Sequence, residues 1–260
     1  MRAVRSVGAA LALPVVLIAV WWLTTLDNTD PFVPEPRQLV DDFVHVWLGS
    51  SLLWDQVVPS LTRLVVGLGA AVVGGVVLGV VIGSNRVVRK LVSPLLEFIR
   101  AVPPPVLLPV LLLLMGIDDS SKVFLIALGC LWPILLNTVD GVRSVDDVLS
   151  DTTRTYGITG WNRLRFFVLP AALPRIATGI RLALPISIIL MVVSEMYAVT
   201  GGGLGSQIIL FQRTFQNGPM WAGILVLGLL GVALALLFRV FERSMLGWYH
   251  GQREAESNDR

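Results

Sequence analysis

The residues that most chemistry depends on are scarce in this sequence. Among 260 residues there is one cysteine, Cys130, and there are two histidines, His45 and His250. A lone cysteine excludes an intrachain disulfide, and two distant histidines give no metal-ligand spacing. The serines in apolar stretches have no histidine to activate them, so nothing points to a nucleophilic enzyme. Charge is thin: Asp, Glu, Lys and Arg make up 15% of the chain, where a soluble domain averages about a quarter. A net charge of +2 is too small to argue for nucleic acid. No glycine-rich run ends in Gly-Lys-Ser/Thr, so a phosphate-cradling nucleotide site is absent from the sequence. No 20–50-residue repeat and no inverted repeat of the kind that marks secondary transporters is visible.

Apolar sequence is what the chain has in excess. Hydrophobic residues reach 55% and the mean hydropathy is +0.77, more than a soluble core can bury. A helix rising 1.5 Å per residue needs about twenty apolar residues to cross a bilayer. Six stretches qualify, near residues 7–26, 60–83, 94–116, 122–142, 176–199 and 220–241. The first is too long for a signal-peptide core and no Ala-x-Ala cleavage site closes it, so it reads as a retained helix. The expected fold is all-α and polytopic, one transmembrane domain over 1–260.

Orientation follows the basic residues. With the N-terminus inside, sixteen Lys and Arg fall on inner segments; Arg37, Arg63, Lys122 and Arg213 fall outside. Both termini and the 143–175 segment are therefore expected in the cytoplasm. Segment 27–59 is the longest outer stretch. Its prolines Pro31, Pro34 and Pro36 precede an amphipathic helix from Arg37 to Leu48 that lies on the surface.

Within the spans, Gly67, Ala71, Gly75, Gly79 and Gly83 recur every fourth residue and form a stripe without side-chain bulk. A partner helix can pack closely there, within one subunit or across a subunit interface. Pro94, Pro103, Pro104, Pro105 and Pro109 break the third span, which reads as a short helix turning into a second one. Glu195, near the outer end of the fifth span, is an intramembrane charge that faces either a translocation path or the nearby Gly201–Gly203 backbone. Met191 and Asn137 are the other candidates for the path. Gly201–Gly205 reads as a flexible outer turn.

The 143–175 segment carries the mechanism. Ser150 or Asp151 can cap a short helix through Thr152, Thr153 and Arg154 to Tyr156, which Gly157 ends. A second helix starts near Thr159 and is expected to close at Pro170 and Pro174. Asp151-Thr-Thr-Arg-Thr-Tyr-Gly157, followed by the run to Leu169-Pro170, resembles the cytoplasmic loop of permeases of binding-protein-dependent ABC importers. That family writes the loop as Glu-Ala-Ala, three residues, Gly, and then Leu-Pro about a dozen residues on. Phe32-Val-Pro-Glu-Pro36, Ser60-Leu-Thr-Arg-Leu64, Pro94 to Pro103, Asp140-Gly-Val-Arg143, Thr178-Gly-Ile-Arg181 and Glu195-Met-Tyr with Gly203-Leu-Gly205 extend the likeness. Together they look most like the nitrate/sulfonate/taurine branch of the methionine-importer-like type I permeases.

The resemblance implies a six-helix subunit of a homodimer. Two separate cytoplasmic ATPase subunits would bind ATP and Mg²⁺, and an outer substrate-binding protein would select a small solute moved by alternating access. Eighteen Arg against two Lys suggests a GC-rich, actinobacterial source and hence a lipid-anchored binding protein. Asp151, Thr152, Thr153, Gly157 and Pro170 align with the family's coupling positions, and Arg154 lies among them. Thr152 and Thr153 replace alanines, which bears on the choice of ATPase. The competing reading is an ATP-independent secondary transporter or channel.

Overall fold

The computed structural model describes residues 2–26, 32–145, 152–153, 155–197 and 201–258, with side chains from residue 12 to residue 247. All regular structure among them is helical. Helix α1 covers Arg2–Thr25, α2 covers Pro36–Asp42 and runs on as a π-helical turn over Phe43–Leu48, and α3 covers Leu52–Ser84. Then come α4 (Arg86–Arg100), a 3-10 turn at Pro104–Leu107, α5 (Leu108–Met115) and α6 (Asp119–Arg143). Helix α7 runs from Gly160 to Tyr197, followed by α8 (Leu204–Arg213) and α9 (Asn217–Asn258).

Four of these, α3, α6, α7 and α9, are long and apolar enough to cross a membrane, and the bent pair of α4 with Pro104–Met115 makes a fifth candidate. The described apolar part of α1, Ala12–Thr25, is shorter. The surface helix expected at 37–48 is present as α2 and its π turn, anchored by Trp47, whose indole donates to the Pro219 carbonyl at 3.0 Å.

The centre of the bundle is α3 against α6. The small-residue stripe of α3 meets α6 in step: a Cβ on Gly67 would sit 2.8 Å from Ile126, on Gly75 2.8 Å from Ile134, and on Gly83 2.9 Å from Val142. Gly79 faces Thr138 in the same way. The stripe thus packs within the subunit, bringing two backbones close enough for dense dispersion contact. Because both sets of residue numbers rise together, α3 and α6 are parallel. The chain between them must therefore return across the bundle.

Helix α4 begins that return. Asn85 caps it, its Oδ1 accepting from Val87 N at 2.9 Å and Val88 N at 3.2 Å, and Val88, Val92 and Leu96 pack on Ile82, Leu135 and Val139. After Arg100 the chain turns by 77° at Pro103–Pro105, which remove backbone donors. The two-helix reading of this span is what the structure has.

Helix α7 packs antiparallel to α6, with Gly129 against Leu190 and Gly179 against the Pro133 carbonyl. It also corrects one expectation. Pro170 and Pro174 do not close the loop's second helix, which continues into the fifth span. A π turn at Leu164–Val168 precedes Pro170, and Leu169 N bonds back to Leu164 O. The wider turn shifts the hydrogen-bond ladder, so Pro170 enters where its missing donor does least harm.

Candidate functional site

The loop end of the bundle, where α6 finishes and α7 begins, holds the residues expected to carry coupling. Asp151 and Arg154 lie outside the described residues. Thr152, Thr153 and Thr155 are helical; Tyr156 N donates to Thr152 O at 3.1 Å and Ile158 N to Thr153 O at 2.9 Å. The second bond, spanning five residues, together with Gly157 at φ +69° is the left-handed Schellman stop that glycine allows. No atom lies within 4 Å of a Cβ added at Gly157, so strain and not crowding selects glycine. Tyr156, Trp161 and Phe166 stand exposed around this turn, and α7 starts three residues after Gly157.

The far end carries a buried charge network that sequence reasoning only half finds. Glu195 is 0% exposed and Arg63 only 2%. Arg63 Nη1 donates to Glu195 Oε1 at 2.7 Å and Arg63 Nε to Asp119 Oδ1 at 2.8 Å. The same guanidinium donates to the carbonyls of Gly202 at 2.9 Å and Gly201 at 2.7 Å. Ser60 Oγ donates to Glu195 at 2.8 Å, and Gly205 N completes the carboxylate at 2.9 Å. Lys122, also 0% exposed, places Nζ 3.7 Å from Asp119 Oδ1.

These bonds give the Gly201–Gly205 loop a different character from the flexible turn expected there. Gln56 Oε1 accepts from Gly203 N at 2.7 Å and Ser60 Oγ from Leu204 N at 2.9 Å. Gly203, at φ +125°, has Glu195 so close that any Cβ would overlap its carboxylate. The loop is a fixed receptor for Arg63 and Glu195, tying α3, α6, α7 and α8 together.

Of the other path candidates, Met191 is wholly buried among core residues, and Asn137 donates to Pro133 O at 2.8 Å where α6 crosses α7 at Gly179. Nearer the loop end Arg181 of α7 is ion-paired to Glu242 of α9, a carboxylate with little exposure. Arg63, Ser60, Asp119 and Lys122 are the site residues the sequence reading misses. The available signal is that Arg63 and Lys122 are two of only four cations on the side that the basic-residue bias leaves empty.

Long apolar helices that make up all the regular structure among the described residues, braced at one end by buried charges, define a multi-pass membrane protein. The sequence profile of the binding-protein-dependent transport system inner membrane component matches residues 75–247, and the chain belongs to that family: it is the membrane-spanning permease subunit of an ABC importer. The taurine transport system permease protein of Escherichia coli strain K12 is 32% identical over 254 residues, 95% of this chain and 92% of that one. A putative aliphatic sulfonates transport permease of Bacillus subtilis strain 168 is 32% identical over 244 residues, 92% and 86% of the two chains. The bicarbonate transport system permease of Synechococcus elongatus is 30% identical over 189 residues, 72% and 67%. Among solved structures, the inward-facing MetNI methionine ABC transporter gives a TM-score of 0.64 at 22% identity over 75% of this chain and 96% of that one. It shares the fold.

Proposed function

We propose that this chain works as a homodimer that imports a small anionic solute by alternating access, driven by two separate cytoplasmic ATPase subunits and fed by an extracytoplasmic binding protein. ATP and Mg²⁺ belong to the ATPases in this reading, and the loop end and both termini face the cytoplasm. The observation that carries it is the glycine-stopped helical turn at 152–157, exposed and placed immediately before a 38-residue helix. Such a stub can seat in an ATPase groove and push on α7 as a rigid lever. The relatives named for taurine, sulfonates and bicarbonate support a substrate with a small oxyanion head. Broad apolar faces on α3 and α9 support a second copy across a shared path: only 6% of the α9 span window is buried within one subunit.

The test is affinity capture of the tagged chain from mildly solubilised native membranes, with the wild type beside Gly157→Val. Valine resists a left-handed φ, so the variant should insert normally, lose a co-eluting ATPase bearing a Walker sequence, and fail to transport. Transport at wild-type rate by Gly157→Val, or repeated recovery of the wild-type chain with no ATPase, refutes the coupling assignment. The second result favours an ATP-independent transporter or channel.

A further inference from the structure

A cavity of about 410 Å³ opens between α7 and α9, lined by Arg181, Pro185 and Ile188 on one helix and by Gly231, Ala235 and Arg239 on the other. The spacings of four and three on α7, and of four and four on α9, put each set on a single helix face. Gly231 and Ala235 supply the room. At 1.5 Å per residue Arg181 lies about 21 Å along α7 from Glu195, which places the cavity in the loop-side half of the membrane.

Its charge is unbalanced. Arg181, whose side chain is largely exposed, is paired with Glu242 across the α7–α9 gap. Arg239 has no ion pair or hydrogen bond to any described residue. Two guanidiniums therefore share one carboxylate. Arg181 and Arg239 both sit toward the loop-side end of their helices, and an arginine there is retained where it has a cavity or partner to face. The neighbouring cavity of about 320 Å³, between α3, α7 and α9, offers a contrast: apart from Glu242 its lining is apolar, with no cation.

We propose that the Arg181–Arg239 cavity is an anion-binding station, in which Arg181, positioned by Glu242, and Arg239 receive a small oxyanion such as a sulfonate, a carboxylate or bicarbonate on its way through the subunit. The planar guanidinium fork matches such oxygens in pairs, and the volume falls in the range of small-ligand sites. The inference deepens, and rests on, the reading of the chain as an anion importer. It adds where on this chain the anion is held. Because α7 starts only three residues after Gly157, movement of the coupling turn would pull on the helix that carries Arg181 and alter the gap to Arg239.

The test uses the full chain in phosphatidylcholine nanodiscs without any ATPase. Native Cys130 is fully buried, so a cysteine at Ala235 (A235C) reports alone. It is modified with a sulfonate-bearing and with a trimethylammonium-bearing methanethiosulfonate, each rate normalised to free cysteine. The anionic reagent should be favoured by about tenfold or more, as expected of a cleft of one sign. Millimolar ethanesulfonate should slow the reaction, and Arg239→Gln on the same background should bring the ratio to about one, with Arg239→Lys restoring it. Ala177→Cys, in the neighbouring cavity, should show no anion preference. Equal normalised rates at position 235, or a preference that survives Arg239→Gln, overturns the proposal. So does a preference abolished by phosphatidylglycerol yet unaffected by ethanesulfonate, which would make the cavity a lipid-headgroup site. Failure of the wild-type chain to capture any ATPase, with the anion preference intact, would refute the importer reading alone.

Discussion

Arg63 and Glu195 come from positions 132 residues apart and are both removed from water, so neither is tolerable without the other. Deleting one member of a buried pair strands the remaining charge at a cost of about 3–5 kcal/mol, whereas replacing both by apolar residues costs far less. Glu195→Ala or Arg63→Ala should thus lower the thermal unfolding midpoint of the detergent-purified protein sharply, and Arg63→Met with Glu195→Leu should recover much of the loss. Additive losses in the double variant would mean that the two charges do not act as a pair. Asp42 makes a second residue-scale case. One of its carboxylate oxygens is buried with no hydrogen-bond partner, and its pKa is raised above the usual carboxylate value by that burial and then by Asp41. A folded-state pKa above the unfolded one means that stability is greatest while the group is protonated and is lost as pH rises through the raised pKa. Asp42→Asn should raise the melting temperature at neutral pH, with the gain fading toward pH ~4, where wild-type Asp42 keeps its proton. A gain that is constant across this range would remove ionisation as its cause.

Helices are the scale at which the sequence is most legible, and the reason is periodicity. The stripe from Gly67 to Gly83 announces close packing, the triple proline announces the bend after α4, and the helical spacing of apolar residues from Leu39 to Trp47 announces a surface helix. Partners are not announced, since a smooth groove does not say which helix fills it. Gly79→Leu tests the groove at its tightest point. Overpacking of this kind costs typically about 1–3 kcal/mol, so this variant should melt lower, while Gly69→Leu, with open space at its Cβ, should melt as wild type does. Equal effects at the two positions would place the α3–α6 contact elsewhere. Pro170 and Pro174 show the opposite limit: proline usually ends a helix, but a π turn whose sequence carries no distinguishing mark lets α7 run through. Glu195 is visible as a charge in an apolar run, yet Arg63 and Ser60 become its partners, and Asp119 the second acid on Arg63, only through a fold that joins four helices.

For the whole molecule, the basic-residue bias and the charge network bear on each other. Arg63 and Lys122 stand on the side where cations are few, and both are buried against acidic groups of the far-end network. They therefore carry little topological weight, and discounting them strengthens the assignment of the loop end to the cytoplasm. Cysteines at Tyr156 and Phe215, both exposed, check this directly. A membrane-impermeant thiol reagent should label Tyr156→Cys only in inverted vesicles and Phe215→Cys only in right-side-out ones. The reverse pattern would turn the whole assignment over.

The parallel run of α3 and α6 also constrains how the protein is made. Gly67 waits for Ile126, about sixty residues later, which at 5–20 residues per second leaves the groove of α3 unfilled for roughly 3–12 s. Glu195 emerges later still, so until α7 leaves the ribosome Arg63 has only Asp119 of α6 as an acidic partner. A nascent chain that stalls before α6 is made displays an unpaired cation and a bare glycine groove to the insertion machinery. The network that braces the finished subunit therefore closes only when the last of its helices has joined the other three.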